Sequence, residues 1–162
     1  MPACYNARVT TKPFCFLNPG RLVDADLALV LEEHEASPET QGYVPAYVFT
    51  MTRVPDGEEL GHITLRVGNT PHIVLYAGHI GYGVHAEHRG HHYAARACRL
   101  LLPLARAHGL STLWITCNPD NLASRRTCEL AGGRLVEIVD LPEDTDLYQR
   151  GERQKCRYRL DL

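Results

Sequence analysis

The sequence has no C-x-x-C pair among its six cysteines, no apolar run long enough to cross a membrane, and a net charge of only -2. Scattered thiols without paired spacing argue against a disulfide framework and predict reduced cysteines in the cytoplasm. The first residues, MPACYNARVTTKP, lack the continuous apolar region of a secretory leader. A stretch of about 20 apolar residues would be needed to span a bilayer, and none occurs, so no membrane partner is expected. Near-zero net charge gives no global field toward nucleic acid, and none is expected as a partner. The one basic run, Arg150 to Arg159, ends in CRYRL, whose alternation reads as a strand with arginines on a solvated face. There is no G-x-x-x-x-G-K-[ST] and no G-x-G-x-x-G, which excludes a P-loop ATPase and a dinucleotide fold. Low-complexity tracts, repeats and linkers are absent too, so residues 1–162 read as one domain.

Histidine is plentiful instead: there are nine, five of them between His79 and His92. His88 and His92 share helical spacing, yet no H-E-x-x-H or cysteine pair supplies further ligands, so no metal is expected.

Periodicity orders the chain. A strand is expected near Phe14 to Leu17. VDADLALVLEEHEA reads as a helix, with Asp24 as N-cap and Leu27, Val30 and Leu31 inward. SPETQGYVP is turn-rich. AYVFTMTR and HITLRV read as strands around a turn at Asp56-Gly57, and IVLYAGHIGYGV as a strand ending at Val84. From Gly90 to His108 the inward positions Ala94, Ala97, Leu101 and Leu104 predict a helix, kinked at Pro103. STLWITCN, RLVEIVD and KCRYRLDL read as strands, NLASRRTCELA as a short helix, and LPEDTDLYQRGERQ as a polar loop. Strands followed by alternating strands and helices predict an α/β (α+β) fold, a mixed sheet with helices on its faces.

The segment EHRGHHYAAR, at 87 to 96, joins a strand to a helix. A helix start offers unpaired N–H groups and the positive end of the dipole, which together make an anion site. Gly90 permits close backbone approach, and Ala94 and Ala95 leave room.

Arg89-Gly90-His91-His92-Tyr93-Ala94 resembles the [QR]-x-x-G-x-[GA] segment of the GNAT superfamily of acyl-CoA N-acyltransferases, with His92 at the central glycine. LSTLWITCNPDNLASRRTCELAGG resembles that family's later strand and helix, including an Asn-x-x-[AS] step at Asn121 and Ser124. GHITLR, GHIGYGV and ITCNPDN look like one bacterial branch. The resemblance implies a GNAT-type, mostly antiparallel sheet of about six to seven strands flanked by about four helices. It implies acetyl-CoA as cosubstrate, its pyrophosphate on backbone N–H groups from Gly90 through His91, His92, Tyr93 and Ala94 to Ala95. The pantetheine arm would lie beside Tyr82, Gly83 and Val84, with Asn121 opposite. It implies an amine acceptor and, since many members of the family are dimers, leaves a homodimer open by analogy.

The family's proton donor, a tyrosine seven residues after the motif asparagine, falls here on Cys128, and its strand glutamate falls on Thr116. Cys128 and His79 are the candidate catalytic residues. A packed thiol and a hydrogen-bonded core imidazole are the plainer readings of each. His85, Glu87, Tyr82 and Tyr43 are further candidates. The acceptor is expected to be a small molecule, between Glu32 to Tyr47 and the 141–154 loop, whose Glu143, Asp144 and Asp146 suit a cationic amine, although a solvated acidic loop is the plainer reading of them. A GNAT-fold protein that senses acyl-CoA without turnover is the alternative.

Overall fold

The computed structural model describes residues 13–35 and 43–162. The N-terminal stretch with Cys4, and the SPETQG part of the turn-rich SPETQGYVP stretch, lie outside the described residues.

Eight strands form one sheet in the order β1-β2-β3-β4-β5-β6-β8-β7. They are β1 (Leu22–Asp24), β2 (Leu27–Glu35), β3 (Ala46–Arg53), β4 (Glu59–Arg66), β5 (Ile80–Val84), β6 (Thr112–Cys117), β7 (Arg134–Asp140) and β8 (Gln154–Asp161). All neighbours run antiparallel except β5 and β6. The helices are α1 (Tyr93–Ala107), α2 (Leu122–Leu130) and the short α3 (Asp146–Gln149). A π-helical turn spans Ile73–Ala77 and a 3-10 turn spans Ala86–His88. The sheet thus has one strand more than the upper expectation.

Five local expectations fail, wholly or in part, for identifiable reasons. The segment from Val23 to Glu35 is a hairpin, not a helix. Leu27 and Leu29 are buried and alternate with less buried neighbours, and β2 pairs with both β1 and β3. Leucine and alanine favour helices, but sheet pairing overrides that preference. Asp24 caps nothing; with Asp26 it binds Arg96 of α1, at 2.9 and 2.7 Å. Phe14 to Leu17 joins no strand, and is held by ring contacts and by the Leu17 N–H donating to Tyr47 Oη at 2.7 Å. The apolar run at Ile73 coils into the π turn, because Gly78 takes φ +75° and its N–H closes onto the Ile73 carbonyl. The basic face of β8 is only partly solvated: Arg159 is exposed, but Lys155 and Arg157 are buried. Arg157 lies over the Trp114 ring, donates to the Val74 carbonyl and pairs with Glu137.

Helix α1 packs across β1, β2, β4 and β5, with Ala97, Cys98, Leu101 and Leu104 inward. It runs on through Pro103, which faces solvent, where the missing hydrogen bond is least costly. The core joins this face to Tyr47, Phe49, Ile63, Leu65, Leu113 and Ile115.

The feature that positions the site is the contact between β5 and β6. They pair at Ile80 and Ile115 alone, and beyond that point the strands part. His79 fastens the base of the split. Its backbone N–H donates to the Trp114 carbonyl at 2.7 Å, and its carbonyl accepts from Arg66 N–H at 2.7 Å. Its Nδ1 accepts the Trp114 N–H at 2.9 Å, so the ring proton sits on Nε2, which faces Asn69 Oδ1 at 3.0 Å. Burial pushes this imidazole down to about 4.

Protonation of His79 therefore opposes folding. Its folded pKa lies below the unfolded value near 6.5, so stability is full above about pH 6.5 and falls with acidification toward pH 4. Urea unfolding should show a loss of about 2 kcal/mol from this group between pH 7 and pH 5. The His79→Gln variant should lack that increment; an unchanged pH slope in the variant would contradict the clamp.

Candidate active site

Among the described residues, the split leaves one edge of β5 without a partner strand beyond Ile80. The His85 N–H bonds back to Leu60 on the β4 side. Strand alternation then turns the backbone groups of Tyr82 and Val84 toward the gap. In agreement, the Val84 carbonyl accepts from Arg89 Nε at 3.1 Å. Gly83 faces β4, so of Tyr82, Gly83 and Val84 only Tyr82 and Val84 present N–H groups to the gap.

Two cavities flank this edge. One, about 460 Å³, is lined by Gly83, Val84, the turn from His88 to Ala94, and α2. The other, about 510 Å³, is lined by Tyr43, Arg66, Tyr76, Thr116, Cys117 and Lys155 among others. Tyr82, Asn121 and Ser124 line both, so the cavities meet across the gap.

The turn that closes the first cavity keeps its shape without its central glycine. Gly90 takes φ +91°, and His92 takes φ +59°, ψ +26°, a left-handed conformation that side chains rarely adopt. The strain is about 1 kcal/mol, and histidine tolerates it better than most residues. Among the described residues no side chain caps α1, which leaves the N–H groups of its first turn open to an anion. Arg89, His91 and His92 are exposed around this opening, and Tyr93, Ala94 and Ala95 are buried beneath it. Tyr93 Oη donates to Asp26, and Arg96 holds Asp24 and Asp26, so the hairpin of β1 and β2 braces the turn. His88 pairs with Glu58 at 3.1 Å. Among the described residues, no group of three His, Cys, Asp or Glu is arranged to hold a metal.

Opposite the turn, Asn121 is the N-cap of α2, its Oδ1 accepting the Ser124 N–H at 3.1 Å. The Asn-x-x-[AS] spacing is thus a helix cap, and the carboxamide nitrogen stays available at the gap. Tyr82 reaches across from β5. Its Oη lies 2.7 Å from Ser124 Oγ and 3.7 Å from Cys128 Sγ. Burial raises the phenol pKa, so it keeps its proton at neutral pH.

Both sequence candidates for catalysis sit back from the cavities. Cys128 is buried and lines neither. Its pKa is raised, first by its hydrogen bond to Cys117 and then by burial. His79 also lines neither, and both its nitrogens are occupied. Thr116 lines the second cavity but donates to the Tyr76 carbonyl at 2.7 Å. His85 pairs with Glu59 at 3.1 Å at the surface. Glu143 and Asp144 are exposed and line neither cavity, and Asp146 binds the Tyr43 hydroxyl and Arg150. Sequence reading missed Arg66 and Cys117. Nothing in their neighbours along the chain signals that they line a cavity.

Residues 10–134 match the family model of the acetyltransferase (GNAT) domain. The chain belongs to the GNAT acetyltransferase family. Solved GNAT structures share the fold. A Vibrio cholerae protein provisionally assigned as a ribosomal-protein-serine acetyltransferase aligns over 90% of this chain and 100% of its own, at 16% identity and TM-score 0.63. The GNAT-family acetyltransferase of Bacillus anthracis aligns over 70% of this chain and 65% of its own, at 19% identity and TM-score 0.54. The microcin C7 self-immunity acetyltransferase MccE, solved with acetyl-CoA and AMP, aligns over 72% and 61%, at 17% identity and TM-score 0.56. The chain spans less than two thirds of the last two proteins. No curated protein matches it. For a GNAT chain the groove fits acetyl-CoA: an unpaired strand edge for amide groups, and an uncapped helix start for phosphates.

Two substitutions test that fit by calorimetry with acetyl-CoA. Gly90→Pro should lower affinity by ~100-fold or more, since proline fixes φ near −65° where the turn needs the opposite sign. His92→Gly should keep or raise affinity, because glycine takes φ +59° without strain. Unchanged affinity in Gly90→Pro would place the phosphates elsewhere.

Proposed function

We propose that this protein is an N-acetyltransferase that moves an acetyl group from acetyl-CoA to a primary amine of a small molecule. The observation that carries this reading is the meeting of two cavities at Tyr82, Asn121 and Ser124, beside the open edge of β5. One cavity suits the cosubstrate and the other the acceptor. Bound acetyl-CoA supplies an acyl group activated as a thioester.

The chain's own groups do the rest. The open N–H groups of Tyr82 and Val84 hold the arm in line and offer a donor to a developing oxyanion. Tyr82 Oη is the proton donor for the departing thiolate. It sits next to the position where the family tyrosine is replaced by Cys128, and Ser124 Oγ is placed to restore its proton. Among the described residues, the one carboxylate lining the acceptor cavity, Glu152, lies against Lys155. Proton removal from the acceptor ammonium therefore passes to water. Five described cysteines are unpaired thiols, which fits a reducing compartment such as the cytoplasm.

Steady-state kinetics with a reactive amine tests these roles. Tyr82→Phe should lower kcat by roughly 100-fold or more while acetyl-CoA affinity stays near the parent value. Cys128→Ala should leave kcat nearly unchanged. The reverse pattern would make Cys128 the acid. Tight acetyl-CoA binding with no CoA release for any amine would favour an acyl-CoA sensor.

A further inference from the structure

We infer that Arg66 is the carboxylate-binding residue of the acceptor cavity, and that the acceptor is an amino acid or a similar amine bearing a carboxylate. This rests on the acetyltransferase reading above and names its substrate class.

Arg66 ends β4, and its side chain lines the acceptor cavity. Nη1 donates to the Gly78 carbonyl at 3.1 Å and sits 3.5 Å from that of Ala77. These bonds tie the guanidinium to the segment that leads into β5 and fix its plane. Among the described residues, Nη2 and Nε have no protein acceptor. The group lies flat against Gly81, where a Cβ would come within 3.2 Å of Nη2. Gly81 directly precedes Tyr82, so this cation stands one residue from the proposed point of acetyl transfer.

Charge balance in the cavity singles Arg66 out. Arg150 pairs with Asp146 at 2.8 Å. Lys155 lies against Glu152 and donates to Asn118 Oδ1 at 2.9 Å. Arg66 pairs with no carboxylate among the described residues. Burial disfavours its charge, and a ligand carboxylate would offset that cost. Tyr43, Glu35 and Asp146 lie close enough to favour that charge, but none touches the guanidinium. A cation with no carboxylate in contact matches a monoanion, and a guanidinium edge presents two parallel N–H groups to a carboxylate. The same cation lowers the pKa of a nearby ammonium, which eases the loss of its proton to water. Glu143 and Asp144 of the 141–154 loop line neither cavity and do not balance this charge.

The test compares matched pairs, each common amino acid beside its carboxamide, by CoA release from acetyl-CoA. Wild type should use at least one amino acid roughly tenfold or more better than its amide. Arg66→Gln should erase that ratio with acetyl-CoA affinity retained, and Arg66→Lys should restore part of it. Amides used as well as acids, or a ratio that survives Arg66→Gln, would overturn the assignment. Calorimetry of the CoA-saturated protein with N-acetyl amino acids and their amides reads the same site without turnover. Binding confined to the acids supports the assignment; equal binding of both, or of neither, sinks it. Failure of acetyl-CoA itself to bind wild type would instead sink the parent reading.

Discussion

The organisation of this molecule turns on a sheet that is joined and then parted at one place. β5 and β6 pair at Ile80 and Ile115 and nowhere beyond. A parallel pair closed along its length would satisfy its own backbone and leave no edge for a ligand. Here His79 bonds to β6 through both its backbone and its ring, while its carbonyl holds β4. The clamp keeps the base of the split shut, and Tyr82 and Val84 are left facing a gap. A neutral, doubly bonded imidazole suits this work, because protonation would force Nδ1 against the Trp114 N–H. The same bonding removes His79 from proton transfer.

Everything else in the site is placed by that gap. The strand that opens it runs into the turn at Gly90, and the turn runs into an uncapped helix start. Such a site depends on backbone N–H groups, so it survives the loss of a glycine, provided the replacement accepts a left-handed conformation. His92 does, and the hairpin aspartates hold the helix from behind through Arg96 and Tyr93. Across the gap Tyr82 reaches Ser124, where the groove of open N–H groups meets a cavity whose Arg66 has no carboxylate in contact among the described residues.

The turn, α1 and the later strand and helix were legible because their signals are local. Gly90, the small residues after it, and an asparagine three residues before a serine each encode a backbone shape. The hairpin at 22 to 35 was not, since Leu27, Leu29, Val30 and Leu31 satisfy both a helical and a strand period until a partner strand decides. The run at Ile73 looked like a strand because continuous apolar residues carry no period, and Gly78 alone breaks it. Lys155 and Arg157 read as surface charges; their burial depends on Glu152, Asn118, Trp114 and Glu137, which come from elsewhere in the sheet or chain. Arg66 is the extreme case. What distinguishes it is a missing partner, and a missing partner has no signature in sequence.

The most direct test is amide hydrogen exchange, residue by residue, with and without saturating acetyl-CoA. Tyr82, Val84 and the first-turn amides at Tyr93, Ala94 and Ala95 should exchange quickly in the free protein and become protected on binding. Gly83, whose backbone faces β4, should be protected in both states. Protection that leaves Tyr82 and Val84 unchanged would mean that the open edge of β5 is not where the cosubstrate lies.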